Sequence, residues 1–244
     1  MSTASLRAPG ALAWGAIFLA VFAWSAIGPK DGLTWWLEVA PALAFFAVLA
    51  ATRRRFPLTP LLYVLVLLHS IILVVGGHYT YAEVPLGDWV REWMGGDRNN
   101  YDKLGHFAQG FVPAMIAREL FLRLGVVNGA GWRAFLIVSF CLGFSAFYEL
   151  IEWRVAELSG QAAEAFLGTQ GYAWDTQSDM AWAGFGAILA LATLGLGYAW
   201  AIDESLHLVL DAKALRLRGS DNTGSVTENG YQATVGLRSL LSDD

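Results

Sequence analysis

Six long apolar stretches divide the chain, and polar residues gather between them. The stretches cover residues 11–27, 33–51, 58–76, 104–122, 131–151 and 180–202. A helix that crosses the hydrocarbon core of a bilayer needs roughly 20 mostly apolar residues, which each stretch provides or nearly provides. The pattern therefore predicts an all-α, polytopic membrane bundle of about six transmembrane helices over residues 1–202.

The first apolar stretch has two interpretations. Arg7 precedes it and small residues follow near Ala23 and Ser25, as in a secretory signal peptide. The stretch is long, contains tryptophan, and ends at "GPKDG", which is typical of a tight turn into a second helix. We expect a helical hairpin that anchors the chain, with cleavage as the open alternative.

The composition agrees with a membrane protein. Of the 244 residues, 56% are hydrophobic and only 15% are charged, so a soluble domain of this length would struggle to cover its core with polar surface. The net charge of −5 gives no indication of a nucleic-acid partner, and we expect none. The single cysteine, Cys141, cannot form an internal disulfide and is interpreted as a small packing residue.

Basic residues indicate how the helices are oriented, because short loops rich in lysine and arginine stay in the cytoplasm. Three basic groups fall on one side if both termini are cytoplasmic: Arg53, Arg54 and Arg55; Arg118, Arg123 and Arg133; and Lys213, Arg216 and Arg218. The polar loops at residues 77–103 and 152–179 then face outward. We expect a multi-pass protein of a bacterial inner (plasma) membrane with membrane lipid as its surroundings.

Residues 203–244 differ in character from the membrane domain. The sequence "DESLHLVLDAKALRLRGS" predicts a short amphipathic helix on the cytoplasmic membrane surface, and the polar "DNTGSVTENG" predicts a flexible tail. The alternation in "KALRLRG" also fits a strand. We rank the strand lower because no partner strand is evident in the sequence.

Polar side chains at helical spacing converge on the outward face. The last three predicted helices each carry a set: Asp102, His106 and Gln109 at i, i+4 and i+7; Glu149 and Glu152 at i, i+3; and Asp175 and Asp179 at i, i+4. Residues at these spacings lie on one face of a helix. Asp102 and Asp175 also lie at the predicted starts of helices, where a negative charge is stabilised by the positive end of the helix dipole. This stabilisation would account for the two acids without any function. Glu149 is harder to explain in this way, because an acid at the bilayer centre costs up to roughly 2.5–3.5 kcal/mol.

These residues form a candidate site. The candidate catalytic residues are His106, Asp102, Glu149 and Asp179, with His106 as the acid or base. The candidate ligand-binding residues are Tyr101, Lys103, Gln109, Tyr148, Gln170, Trp174, Asp175 and Gln177. A divalent metal ion is a possible cofactor, with His78, His106, Glu149, Glu152 and Asp175 as candidate ligands, although no metal motif such as HExxH is present. His69 stands alone in an apolar stretch and is interpreted as a packing residue.

Four segments resemble one protein family in the same order along the chain. "GGHYTYAEVP", "NNYDKLGHFAQG", "FYELIEW" and "LGTQGYAWDTQSDM" are similar to the YjdF-like family of bacterial inner-membrane proteins, over residues 58–202. More distantly, Asp102, Lys103, His106 and Phe107 resemble the "DKxxHF" signature of VanZ-like membrane proteins, which are associated with teicoplanin resistance. Those proteins tend to carry a later acid followed by Asn and Gly; Asp179 and Gly186 match, but Ala183 replaces the Asn.

Three classes of function fit the sequence. The first is binding or modification of a lipid headgroup or small envelope-linked ligand in an outward polar pocket. The second is a proton- or ion-coupled transporter of small solutes, for which we see no internal repeat and few polar residues at the inner end. The third is a non-catalytic assembly protein in which the polar cluster only fixes the helices.

Overall fold

Helices form all the regular structure between residues 8 and 197 in the described part of the chain. The computed structural model describes residues 8–159, 167–197, 214–221 and 224–231. Its helices are α1 (Ala8–Ser25), α2 (Gly32–Thr52), α3 (Pro60–Tyr79), α4 (Pro85–Met94), α5 (Tyr101–Leu124), α6 (Ala130–Ser159) and α7 (Asp175–Gly197), with a 3-10 turn at Tyr81–Glu83. The segments predicted as spanning helices overlap α1, α2, α3, α5, α6 and α7; residues 198–202 of the last segment lie outside the described residues.

Three of these helices are long and apolar enough to cross a membrane within the described residues. They are α2, α3 and, over Ala130–Leu158, α6; the apolar part of α1, Gly10–Ser25, is shorter. Helix α5 is interrupted by charged residues at both ends, among them Lys103 and Glu119. Large apolar side chains cover the outside of the helices, for example Phe135, Phe140 and Phe147 of α6. Such a surface suits hydrocarbon rather than water.

Local sequence explains where several helices begin and end. The Asp31 side chain accepts a hydrogen bond from the Thr34 N–H at 2.7 Å and caps α2, and this hydrogen bond lowers the pKa of Asp31. Pro60 and Pro85 occupy the first turns of α3 and α4, where a missing N–H costs nothing. Gly95 and Gly125 end α4 and α5 in left-handed conformations.

The outward loop predicted at residues 77–103 contains a helix of its own. Helix α4 is amphipathic and leaves the rings of Trp89 and Trp93 exposed. Tryptophan rings in such positions are typical of the boundary between hydrocarbon and water. We call the end of the bundle that carries α4 the polar end; α3 and α6 end there, and α5 and α7 begin there.

Two groups of buried apolar residues fill the bundle. One, at the polar end, includes Phe18, Trp35, Val39 and Val74 from the first three helices. The other lies toward the opposite end and includes Leu62, Val112, Ile137 and Cys141. Cys141 is a free thiol with no exposed surface, which confirms its interpretation as a packing residue.

Helices α5 and α7 approach each other unusually closely. A Cβ atom added to Gly110 would overlap the backbone carbonyl of Ala183, and one added to Gly186 would overlap the carbonyl oxygen of Phe107. Small residues at such a crossing let two backbones meet, as is common where helices associate in membranes. The two glycines and Ala183 therefore fix the distance between the two helices that carry most of the candidate site.

The tail contains a β-hairpin within its described residues. Ala214–Asp221 pairs antiparallel with Gly224–Tyr231. The amphipathic helix predicted through "KALRLRG" is therefore wrong for residues 214–221, while residues 203–213 lie outside the described part. Since the partner strand comes from the polar segment "GSVTENGY", which we interpreted as a flexible tail, the period-2 alternation was the better signal.

We expect Gly110→Ala to destabilise the protein, because the added methyl group has no space against Ala183. Overpacking of this kind costs about 1–3 kcal/mol, more than the helix propensity gained by replacing glycine. The measurement is the midpoint of thermal unfolding of the purified protein in detergent. Gly143→Ala is the matched control, since Gly143 lies inside α6 with open space around its Cα. Equal midpoints for the two variants would show that the α5 and α7 backbones are not in close contact.

Candidate functional site

Asn99 holds the start of α5 in place. Its side chain, which has no exposed surface, donates hydrogen bonds to the Val84 carbonyl at 3.0 Å and to Asp88 at 3.1 Å, and accepts one from the Tyr101 N–H at 3.1 Å. Gln170 pairs with the Asn99 backbone through two hydrogen bonds of 3.1 and 2.8 Å. Asn99 thus joins α4, the start of α5 and the loop before α7. Gln170, predicted as a ligand residue, contributes to this framework.

A cluster of buried charges joins α5 to α7 at the polar end. The Lys103 ammonium lies 2.7 Å from Asp175, 2.6 Å from Asp179 and 3.4 Å from Asp102. Arg98 adds a second cation, 2.5 Å from Asp175. The stripes predicted on the fourth and sixth spanning helices therefore face each other, with one lysine between their acids.

His106 stands one helical turn further into the bundle. Its Nε2 atom lies 3.3 Å from Asp102 and 3.7 Å from Asp179, and its Nδ1 atom lies 2.9 Å from Gln109 and 3.8 Å from Glu149. Both ring nitrogens thus face oxygen acceptors. A carboxylate that orients an imidazole is the usual arrangement for a histidine that takes up and releases a proton.

The structure brings together all four candidate catalytic residues. His106 is the centre, and Asp102, Asp179 and Glu149 each place a carboxylate oxygen within 4 Å of its ring. Several candidate ligand-binding residues lie elsewhere. Trp174, with 65% of its surface exposed, and Gln177 point to the outside, and the Tyr101 hydroxyl donates a hydrogen bond to the Ile72 carbonyl at 3.0 Å.

The candidate metal ligands are only partly brought together. His78 contacts the Ser25 carbonyl at 2.9 Å and its ring lies against the Trp24 ring, not within the charge cluster. In the described part of the chain, Asp102, His106 and Asp179 do place one ligand atom each within 4.8 Å of one another. Lys103 already binds Asp179 there, so an ion at this point would compete with an ammonium group.

A small polar cavity of about 40 Å³ opens beside His106. Its polar lining comes from α2, α3, α5, α6 and the 3-10 turn: Glu38, His69, Tyr81, Asp102, His106, Gln109, Tyr148 and Glu152. A water molecule needs roughly 10–15 Å³ measured in this way, so the cavity admits about three water-sized groups. The phenol groups of Tyr81 and Tyr148 interact with the Glu38 carboxylate across this cavity. Burial and the charge of Glu38 raise the pKa of Tyr81 well above its usual value, so its hydroxyl remains a donor.

An apolar cleft of about 320 Å³ adjoins this cavity. It is lined by Phe45 of α2, by Pro113, Ile116, Ala117, Leu120 and Phe121 of α5, and by Phe140 and Phe144 of α6, with no polar lining surface. Phe45 and Phe144 line the cavity as well as the cleft. The two spaces therefore share these two rings as a common wall, and the polar space lies nearer the polar end.

The sequence interpretation missed Glu38 and underrated His69. Glu38 interrupts the apolar stretch 33–51, and an acid within a spanning segment is itself a signal of a functional group. His69 was interpreted as a packing residue, but it lines the cavity and is 3% exposed. Arg98 and Asn99 were also missed; they precede α5, and only the fold shows that they contact Asp175 and Val84.

Comparisons with known proteins agree with the resemblance seen in the sequence. A family described as "Predicted membrane protein (DUF2238)" matches residues 10–200. "Inner membrane protein YjdF" of Escherichia coli (strain K12) is 53% identical over 174 residues, which cover 71% of this chain and 83% of that protein. No solved structure matches the chain.

Replacing Lys103 by methionine should strongly destabilise the bundle, since three buried carboxylates would lose their shared cation. Removing one partner of a buried ion pair costs about 3–5 kcal/mol. The amount of folded protein extracted from membranes and its unfolding midpoint are the measurements. Arg154→Met is the matched control, because Arg154 pairs only with the exposed Glu157 among the described residues. Adding Asp179→Asn to Lys103→Met should restore part of the loss; no restoration would contradict the pairing.

Proposed function

The chain belongs to the DUF2238 family of membrane proteins, and we propose that it binds an amphiphilic ligand, namely a membrane lipid or lipid-linked molecule. The polar group of the ligand would occupy the cavity beside His106, and its hydrocarbon chain would lie in the apolar cleft. The observation that carries the proposal is the shared wall of the two spaces at Phe45 and Phe144.

The sizes and linings of the two spaces support such a ligand. The cleft has no polar lining surface and a volume of about 320 Å³, which suits a hydrocarbon chain and offers a soluble polar solute no partner. The cavity offers carboxylates, imidazoles and phenols in about 40 Å³, which suits one small polar group. An apolar space joined to a small set of convergent polar groups is the usual form of a ligand site.

The site also has what a proton transfer would need. Asp102 orients His106 from one side and Gln109 from the other, so the imidazole is held where it can exchange a proton with a bound group. Glu149 and Asp179 lie close enough to stabilise charge on the ring. Modification of the bound headgroup by acid or base catalysis is therefore part of the proposal, with His106 as the catalytic residue.

The proposed setting is an inner membrane crossed by six helices with both termini in the cytoplasm. The positions of the basic residues support this orientation. The name of the E. coli relative supports an inner-membrane location. In this orientation the polar end faces outward, and the apolar cleft lies deeper in the bundle, along the second half of α5.

Transport is less well supported because the buried acid described at the opposite end of the bundle is held by direct hydrogen bonds. Glu119, which has no exposed surface, accepts hydrogen bonds from the Thr59 hydroxyl at 2.9 Å and from Arg123 at 2.6 Å. Arg123 also bonds the Pro57 carbonyl at 2.6 Å and stacks on Phe56. These contacts hold the segment before α3 against the end of α5, so the buried charges here have a structural role.

Phe144→Trp should reduce lipid binding, since the larger ring narrows the junction of cavity and cleft. Native mass spectrometry of the full chain, released gently from detergent, would count bound lipids. We expect the lipid-bound fraction to fall roughly tenfold, as a loss of ~1.4 kcal/mol would produce. Phe147→Trp is the matched control, because Phe147 lies on the exposed side of the same helix. Equal lipid binding by both variants would exclude the junction as the binding site.

The orientation can be tested with single cysteines in a Cys141→Ser background. Trp174→Cys should react with a membrane-impermeant maleimide added to intact spheroplasts, since Trp174 is exposed at the polar end. Arg54→Cys, in the exposed turn after α2, should react only after the membrane is opened. The reverse pattern would invert the proposed topology and place the site at the cytoplasmic face.

A further inference from the structure

Three buried glutamates at the polar end have no permanent cation beside them. Glu38, Glu149 and Glu152 are each at least nine-tenths buried. Among the described residues, Lys103 and Arg98 form their ion pairs with the aspartates of α5 and α7, and none with these glutamates. A buried carboxylate without a partner is costly. Among the described residues, the side of the cavity where Glu38 and Glu152 lie has no lysine or arginine, and its basic groups are the imidazoles of His69 and His106.

His69 is an independent indication of a ligand site in this cavity. It lines the same cavity and is 3% exposed, yet neither of its ring nitrogens has a hydrogen-bond partner within the described part of the chain. Buried polar groups are nearly always hydrogen-bonded, so an unpaired imidazole on a cavity wall indicates that the cavity's occupant completes its bonding. A neutral imidazole can accept a hydrogen bond from such an occupant.

Aromatic rings form much of the remaining wall. Phe45, Phe144, Tyr81 and Tyr148 surround the same space. Carboxylates together with aromatic rings are the usual environment of organic ammonium groups, which ring faces attract electrostatically. The volume of about 40 Å³ sets a limit on size. A primary ammonium group occupies about the space of one water molecule and fits, whereas a trimethylammonium group with its three methyl groups fills more than the cavity offers.

We propose that this cavity is a binding site for a primary ammonium group, with Glu38 as its counter-ion and His69 as a hydrogen-bond acceptor. The ammonium group can belong to a lipid headgroup or to a free amine; its assignment to a lipid rests on the function proposed above. Glu152 and Asp102 complete the negative wall, and His106 faces the bound amine from α5.

A divalent metal ion fits this cavity less well. In the described part of the chain, the group of three metal-ligand side chains close enough to share one ion consists of Asp102, His106 and Asp179, and includes neither Glu38 nor His69. Water alone would satisfy His69 but would leave the glutamates without a counter-ion. An ammonium group both supplies hydrogen-bond donors and carries the required charge.

The site can be tested first without lipid, by calorimetric titration of the full-length protein in detergent with ethylammonium chloride. We expect saturable binding of ethylammonium and no binding of tetramethylammonium. Glu38→Gln and His69→Phe should each weaken ethylammonium binding roughly tenfold or more, because each removes a buried polar partner of the ligand. Glu157→Gln is the matched control, since Glu157 is an exposed acid paired with Arg154.

Three results would overturn the proposal: no ethylammonium binding to folded protein, equal binding of tetramethylammonium, or unchanged binding in both cavity variants. Unfolding midpoints would confirm that the variants are folded. If the Glu38→Gln variant does not fold, ethylammonium binding to the Glu152→Gln and His69→Phe variants tests the proposal in its place.

Lipid nanodiscs then identify the source of the amine. The nanodiscs contain equal parts of phosphatidylethanolamine, phosphatidylcholine and phosphatidylglycerol, and native mass spectrometry identifies the lipids that stay bound to the protein. We expect phosphatidylethanolamine to stay bound to the unmodified protein and to be lost from the Glu38→Gln variant. If the unmodified protein retains all three lipids equally and the Phe144→Trp variant retains none of them, the ammonium site is overturned and the proposed lipid binding stands. Ethylammonium binding without any retained lipid would support the cavity assignment and contradict the function proposed above.

Discussion

The ion pairs of Lys103 are the interaction on which the arrangement of the polar end depends. Its ammonium lies between the acids of α5 and α7, within 2.7 Å of both Asp175 and Asp179. Glycines at the crossing of these helices let the backbones come close enough for one lysine to reach both acids. In turn, the pairs fix Asp102 and Asp179 beside the ring of His106. The close crossing and the ion cluster therefore position the histidine together.

Much of the architecture follows from hydrophobic pattern alone. The six apolar stretches coincide with helices, and the polar stripes of α5 and α7 meet as their spacing predicted. The resemblance in four ordered segments is confirmed by the family to which the chain belongs. These features are predictable because each depends on local periodicity or on residues adjacent in sequence.

The parts that escaped prediction depend on which helices become neighbours. Glu38 contacts the site only because α2 packs against α3 and places its carboxylate near Tyr81 and Tyr148. His69 looks like a packing residue in sequence, and its unpaired nitrogens become meaningful only beside a cavity. The hairpin after Ala214 needed a partner strand from a polar segment that, alone, carries no strand signal. In each case the role of the residue depends on a contact with a segment that is distant in sequence, and the sequence alone does not show that contact.

The two ends of the bundle differ in whether their buried polar side chains have hydrogen-bond partners. At the end opposite α4, Glu119 is bonded to Thr59 and Arg123, and Arg123 in turn closes onto Pro57. Polar networks that are fully satisfied rigidify a fold and leave little for a ligand to gain. At the polar end Glu38 and His69 face a cavity and the latter has no partner for its ring nitrogens in the described chain. Since a ligand binds where it can relieve unsatisfied groups, this contrast supports the binding proposed at the polar end.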